Sequence, residues 1–425
     1  MQMKLFHLFF FLMAGVMVGF AQNNSIVVPA CPTRVLTVGG KGADVQGYTS
    51  QAIQTAVNAL RVQGGGVVKI LAGEYEISAP IRLFDSIRLS GSGEQTILKK
   101  SKGVRTNFVT DAGYGELQLT VADTSGFAPG MGVQIYDSDH NSAWDVTTAV
   151  ITAIRDHVIY IDNYLIRDYV AENGGTLSNA CSVISAEEAS HVAITDLVVD
   201  GNRESNDALN GCRGGGIYLH KVRDVTIENV HVRNFDSDGI SWQITENVTV
   251  RNCEVSGCAN AGLHPGAGTL YTRIEGNYCH NNDIYGLFVC WRVRHGIVRG
   301  NRFTENGHFG IDTGHMDTDM LFEENQISQN GHAGVHFRPE IKANAPHRNV
   351  FRNNTVENNG GKKEGYGFLI NSPAEDVVLD GNIIRNSGGS IQKAAVFIGE
   401  KAHPVKLVQN QISGHSEKET IVYQK

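Results

Sequence analysis

From Lys221 to Asn344 the apolar and polar positions recur almost every 24 residues, the length of one coil of a stacked solenoid. Two columns set the register. Gly239, Gly262, Gly286, Gly310 and Gly334 are separated by 23, 24, 24 and 24 residues, and Asn252, Asn277, Asn301 and Asn325 by 25, 24 and 24. One place after the glycine, counting Gly216 and Gly367 as further members, stand Ile217, Ile240, Leu263, Leu287, Ile311, Val335 and Phe368, all apolar. Two places after it come Tyr218, Ser241, His264, Phe288, Asp312, His336 and Leu369. Three places after it the column is apolar again in Leu219, Trp242, Pro265, Val289, Phe337 and Ile370, with Thr313 as the exception. Alternation with period 2, once per coil, predicts short strands stacked in parallel with an inward apolar ladder and an outward mixed one. The fold class is therefore all-β, a parallel β-helix. Leucine-rich and helical repeats require other spacings, which are absent.

The N-terminal part reads differently. Ser50 to Val62 carries the helical spacing Ala52, Ile53, Ala56, Val57 and Leu60, followed by Gly64-Gly65-Gly66 and a strand from Val67 to Leu71. A helix here would cover one open end of the solenoid, whose apolar core and strand edges are otherwise exposed. Residues 35–100 are assigned to this cap and the first rungs, 101–184 to an inserted small β subdomain, and 185–425 to the remaining rungs. The insertion has strand-like runs at Leu117 to Val121, Val133 to Tyr136, Ala149 to Ile154 and Val158 to Ile161. Its cluster Asp137-Ser138-Asp139-His140-Asn141 alternates oxygens as a calcium loop does. It lacks the glycine and the closing glutamate of an EF-hand, so it is read as a solvated turn. No metal site or cofactor is assigned, and calcium is without support.

Residues 1–21, one lysine followed by an apolar run and small residues near Ala21, have the pattern of a secretory signal. The run is shorter than the roughly 18–20 residues of a membrane span. A secreted or periplasmic location is expected, with no membrane span. The net charge of −8 becomes −9 without Lys4, which disfavours nucleic acid as a partner. Seven cysteines remain, an odd number without paired CxxC motifs. Cys253 and Cys279 are expected to stack as buried thiols rather than to form a disulfide.

Because parallel strands lie about 4.8 Å apart, one outward column becomes a surface strip. Asp312 and His336 should be one rung apart, and His264 two rungs from Asp312. In the next outward column, Arg338 follows the small Gly314 and has room to lean over the strip. His264, Asp312, His336 and Arg338 are the candidate catalytic residues. Trp291, His315, Asp317 and Glu340, where the strands leave for their turns, are candidate substrate-binding residues. Histidine suits proton transfer near neutral pH, arginine binds a carboxylate through two parallel hydrogen bonds, and tryptophan offers a plate for a sugar ring. The asparagine column is read as structural, its amides satisfying turn backbone groups.

Gly42-Ala43-Asp44, Ala52-Ile53-Gln54, Gly64-Gly65-Gly66 and Gly73-Glu74-Tyr75, with rungs such as Gly300-Asn301 and Gly310-Ile311, resemble the pectin-lyase-like superfamily of right-handed parallel β-helices. The resemblance implies a secreted carbohydrate-active protein whose partner is a polysaccharide or oligosaccharide. Asp236-Ser237-Asp238-Gly239 is similar to the Asn-Thr-Asp-Gly motif of polygalacturonases. Their paired aspartates correspond to Ala259-Asn260, and no Gly-His-Gly or Arg-Ile-Lys signature follows, so that mechanism does not transfer. Glycoside hydrolysis needs two carboxyl groups about 5–10 Å apart, and Asp312 has no evident partner at that spacing. Lyase or epimerase chemistry needs a base, here His336 or His264, and a cation on the uronate carboxylate, here Arg338. The sequence reading is a polysaccharide-processing enzyme of lyase or epimerase type. Its alternatives are a hydrolase using Asp312 with a second carboxylate, and a non-catalytic carbohydrate-binding or adhesion solenoid.

Overall fold

The computed structural model describes residues 34–424 apart from 210, 362–364, 389–391 and 403. The leader expected at residues 1–21, and Cys31, lie outside the described residues. The chain winds as a parallel β-helix in which each coil contributes strands to long parallel sheets. One face is an eleven-stranded sheet running from Ile81–Leu83 through Ile184–Glu187, Ile217–His220 and Ile240–Gln243 to Ile421–Tyr423. The other faces belong to a 22-stranded sheet.

The inward ladder is the core. Ile217, Ile240, Leu263, Leu287, Ile311, Val335 and Phe368 are buried, as are Leu219, Trp242, Val289, Phe337 and Ile370 three places after the glycines. They belong to one continuous apolar cluster reaching from Val38 to Ile398. Burial along such a column stabilises the stack by about 25 cal/mol for each Å² of apolar surface removed from water. The helix Ser50–Arg61 is N-capped by Thr49, whose hydroxyl accepts from the Ala52 N–H at 3.3 Å. Its buried face, Ala52, Ile53, Ala56, Val57 and Leu60, joins the same cluster and closes the end of the solenoid.

The insertion is antiparallel. Six strands between Arg105–Asn107 and Thr176–Ser178 form a separate sheet over their own apolar cluster, which includes Leu119, Val133, Ile135, Ile159 and Leu177. Ile184–Glu187 already belongs to the stack, pairing with Ile81–Leu83 on one side and Ile217–His220 on the other. Asp137 spends its carboxylate within the insertion, accepting from the backbone N–H groups of Asp139, His140 and Val170.

Asparagines hold the turns. The Asn301 side-chain oxygen accepts from the Asn277 backbone N–H and amide, each at 2.9 Å, and Asn325 and Asn354 continue the ladder. A second ladder links Asn282, Asn306, Asn330 and Asn359. Asn252 stands outside. It occupies a left-handed turn position at φ 52°, and Cys253 takes the ladder place, donating its N–H to the Asn277 side chain. The spacing of 25 between Asn252 and Asn277 reflects this one-residue offset. Asn301→Ala is expected to lower stability by at least about 2 kcal/mol, since it strands buried donors on Asn277, and urea unfolding measures the loss. Cys253 and Cys279 are buried free thiols.

Candidate active site

The strands Ala261–Gly266, Tyr285–Phe288, Phe309–Thr313 and Ala333–Phe337 carry the outward strip. Their register sets Leu263 opposite Leu287, Phe288 opposite Asp312, and Asp312 opposite His336. His264, Phe288, Asp312 and His336 therefore follow one another along a single outward strip.

The glycine that begins each repeat makes a corner. A Cβ on Gly310 would meet Ile327 Cγ2 at 2.5 Å and the Asn330 amide at 2.8 Å, so this position points into the interior, as does Ile311 after it. Two successive inward positions break the alternation, and the residue before the glycine faces the groove. Phe309 stacks on His336 with ring centroids 4.4 Å apart, and Tyr285 stacks on Phe288 at 4.6 Å. These aromatics form a floor shared with Ala333, Tyr366 and Leu369.

Asp312, only 1% exposed, is the hub of the polar cluster. Its Oδ1 lies 3.1 Å from His336 Nδ1 and 3.3 Å from Arg338 Nη1. Arg338 Nη2 donates to the Val289 carbonyl at 2.8 Å and to Asp317 Oδ2 at 3.2 Å, and its guanidinium carbon lies 4.8 Å from the Phe288 ring centre. Asp317 also accepts from the N–H groups of Gly314 and Val293. Burial pushes its carboxyl up to about 7, against the opposing pull of Arg338 and these two donors. Burial also works against the Arg338 charge, yet Asp312 and Asp317 hold that guanidinium above its ordinary value. With Nδ1 directed at a carboxylate, His336 is oriented as an enzyme base is oriented by its aspartate. Its Nε2 takes no partner among the described residues, and its side chain is 12% exposed.

Arg338 occupies the space that Gly314 leaves open. A Cβ at Gly314 would sit 2.4 Å from Arg338 Nε and 2.6 Å from Nη2. Asp312, Asp317 and the Val289 carbonyl hold the guanidinium in place, so Gly314→Ala, which displaces it in part, is expected to cost about 1–3 kcal/mol in stability. Activity measured beside the melting curve should show turnover falling at least about tenfold with the fold retained.

A second oriented histidine lies three rungs from His336. His264 Nδ1 is 2.7 Å from Asp238 Oδ2, and Gln243 lies 3.4 Å from its Nε2. Asp238 is fixed in turn by Asn260 and the Ala261 N–H. The His264 side chain is 5% exposed, and Phe288 packs against it with ring centroids at 4.9 Å, screening it from Asp312. At the flank, His315 pairs with Glu340 at 3.4 Å and packs on Trp291 at 4.9 Å. Trp291 is 49% exposed. Of the four candidate catalytic residues, Asp312, His336 and Arg338 thus touch one another while His264 stands apart on the same strip, Asp317 holds Arg338, and Trp291, His315 and Glu340 form a separate edge. Reading the sequence by column did not single out Asp238, Gln243, Tyr285 or Phe309 as site residues. Asp238, Tyr285 and Phe309 all immediately precede a repeat glycine, which is the signal that marks them. Burial, with the nearby Asp312 charge, raises the Tyr285 phenol to about 12, so it stays protonated. No group of three His, Cys, Asp or Glu residues able to hold a metal ion occurs among the described residues.

The chain is a right-handed parallel β-helix of a carbohydrate-active superfamily, and it belongs to the family described as rhamnogalacturonase A/epimerase, pectate lyase-like, whose model matches residues 33–264, more than half of its length. A model for a right-handed β-helix region matches residues 215–361. Among relatives, mannuronan C5-epimerase AlgE2 of Azotobacter vinelandii is 26% identical over 305 residues, covering 68% of this chain and 24% of that protein. AlgE5 of the same organism is 25% identical over 293 residues, covering 67% and 20%. The chain thus spans a quarter or less of the length of these relatives. Among solved structures, the AlgE6 A-module from A. vinelandii superposes with a TM-score of 0.52 at 17% identity, covering 88% of this chain and 91% of that one. Polygalacturonase from Erwinia carotovora ssp. carotovora gives 0.54 at 13% identity, covering 93% and 98%. These two structural likenesses establish the shared fold.

Proposed function

We propose that this protein is an exported enzyme that acts on a uronate-containing polysaccharide by removing the proton next to the sugar carboxylate, as a lyase or an epimerase. The observation that carries this reading is the His336–Asp312–Arg338 cluster, an oriented imidazole beside a fixed guanidinium in one groove. His336 Nε2 takes the proton, and the Nδ1 contact with Asp312 stabilises the imidazolium that forms. Arg338 lies under the carboxylate and offsets the negative charge that develops there. The Tyr285 phenol, protonated at neutral pH, delivers a proton either to the opposite face of the carbon or to the departing glycosidic oxygen, and solvent then restores its proton as His336 releases the one it took. The first outcome is epimerisation and the second is elimination. The kinship with mannuronan C5-epimerases supports the same substrate class.

Hydrolysis has less support. Asp312 and Asp317 are buried and tied to Arg338, and neither presents the exposed carboxyl that a hydrolytic pair requires. No helix among the described residues is long and apolar enough to cross a membrane. Incubation with a panel of acidic and neutral glycans tests the proposal. Unsaturated products or altered uronate stereochemistry on acidic glycans are expected, with Tyr285→Phe slower than wild type by at least about tenfold. Glycan binding without any product would identify a non-catalytic module instead.

A further inference from the structure

Where the insertion meets the solenoid, a cavity of about 310 Å³ opens onto the same sheet as the groove. Its walls include Arg82, Ser185, Glu187 and Tyr218 from the sheet, Arg213 from the loop before Ile217–His220, and Thr148 and Asp162 from the insertion. That volume lies in the range of small-ligand sites. The charges within it are unequally matched. Asp162 pairs with Arg82 at 2.5 Å, and Glu187 lies 3.5 Å from His220. Arg213 forms no ion pair among the described residues. Its one hydrogen bond is a long contact of 3.4 Å to the Trp144 carbonyl, and its Nε is buried without a partner. The guanidinium carbon lies 5.0 Å from the centre of the Trp144 ring, whose other neighbour is His220 at 5.6 Å. A guanidinium that makes no direct ion pair, although it acts on the Glu187 charge across the cavity, and that lies against an indole beside that cavity suits an anion on a flat, partly apolar body.

We infer that this cavity is a second uronate-binding subsite, in which Arg213 takes the carboxylate and Trp144 packs near the sugar ring. The inference rests on the proposed function. The register puts the subsite and the His336 cluster on one face of the same sheet, since Tyr218, Ser241, His264, Phe288, Asp312 and His336 occupy successive rungs. Five rung spacings place Tyr218 about 24 Å from His336. Only a chain of several sugars reaches both ends. The insertion thereby acquires a role, as one wall of the subsite that selects long acidic chains.

Binding of uronate oligomers, from dimer to octamer, to full-length His336→Ala protein by titration calorimetry tests this without turnover. Adding Arg213→Gln is expected to weaken octamer binding by about tenfold or more and dimer binding by less than about twofold. Trp144→Leu in the same background supplies the comparison should the arginine variant not fold. Octamer binding that is unchanged, or octamer and dimer binding weakened equally, overturns the subsite. His336→Ala protein that binds no uronate oligomer overturns the proposed function as well. Unaltered octamer affinity in the Arg213 and Trp144 variants removes the subsite alone.

Discussion

His336→Ala is expected to lower turnover on the acidic substrate by about 10²–10⁴-fold, the usual contribution of a positioned base. The histidine lies on the groove side, stacked on Phe309, so its removal exposes a ring face and opens no large cavity in the apolar core. Asp312 keeps Arg338 as its counter-charge. The melting temperature should accordingly move by only a few degrees. Steady-state kinetics on the purified variant check the first statement and calorimetry the second. Turnover within about twofold of wild type would remove His336 from the mechanism and shift attention to His264.

Arg338→Ala is expected to remove activity and also to cost about 3–5 kcal/mol of stability, because it leaves Asp312 and Asp317 buried without their cation. The pH dependence separates this cause from simple loss of packing. In the native protein burial raises the Asp317 carboxyl from the ordinary 3.8 to about 7. The folded state therefore binds a proton between about pH 4 and 7 that the unfolded chain releases. Its stabilising contribution is complete below about pH 4 and is lost as pH rises through 7. Without Arg338 the penalty for ionised Asp317 grows, so the variant's deficit should be largest at about pH 8 and shrink towards pH 5. Denaturant unfolding across that range measures it. A deficit independent of pH would mean that the guanidinium acts mainly by filling space.

The solenoid was legible because one apolar ladder repeats in every coil, and a column that must face the core leaves little choice of register. Leu263, Leu287, Ile311 and Val335 carried that information, and with the neighbouring outward column they also placed Asp312 beside His336. The gap between Gly314 and Arg338 followed from the same counting. What lay beyond reach arose wherever the period of 2 fails. At each repeat glycine two consecutive residues turn inward, so Tyr285 and Phe309 reach the groove from a position that strict alternation assigns to the core. Asp238 belongs to the same column and orients His264. Asn252 shows the converse, sharing residue type with the ladder while standing one place outside it. The cavity at Arg213 depends on contacts between the insertion and the first rungs, and no repeat encodes those.

The most direct test of the central claim is to incubate the protein with polymannuronate, polyguluronate and polygalacturonate in heavy water and to examine the products by NMR. Proton abstraction at His336 predicts, on at least one polymer, either deuterium at C5 of intact chains or 4,5-unsaturated chain ends, with both signals absent from the His336→Ala protein. New reducing ends carrying neither deuterium nor unsaturation would contradict the account and identify a hydrolase.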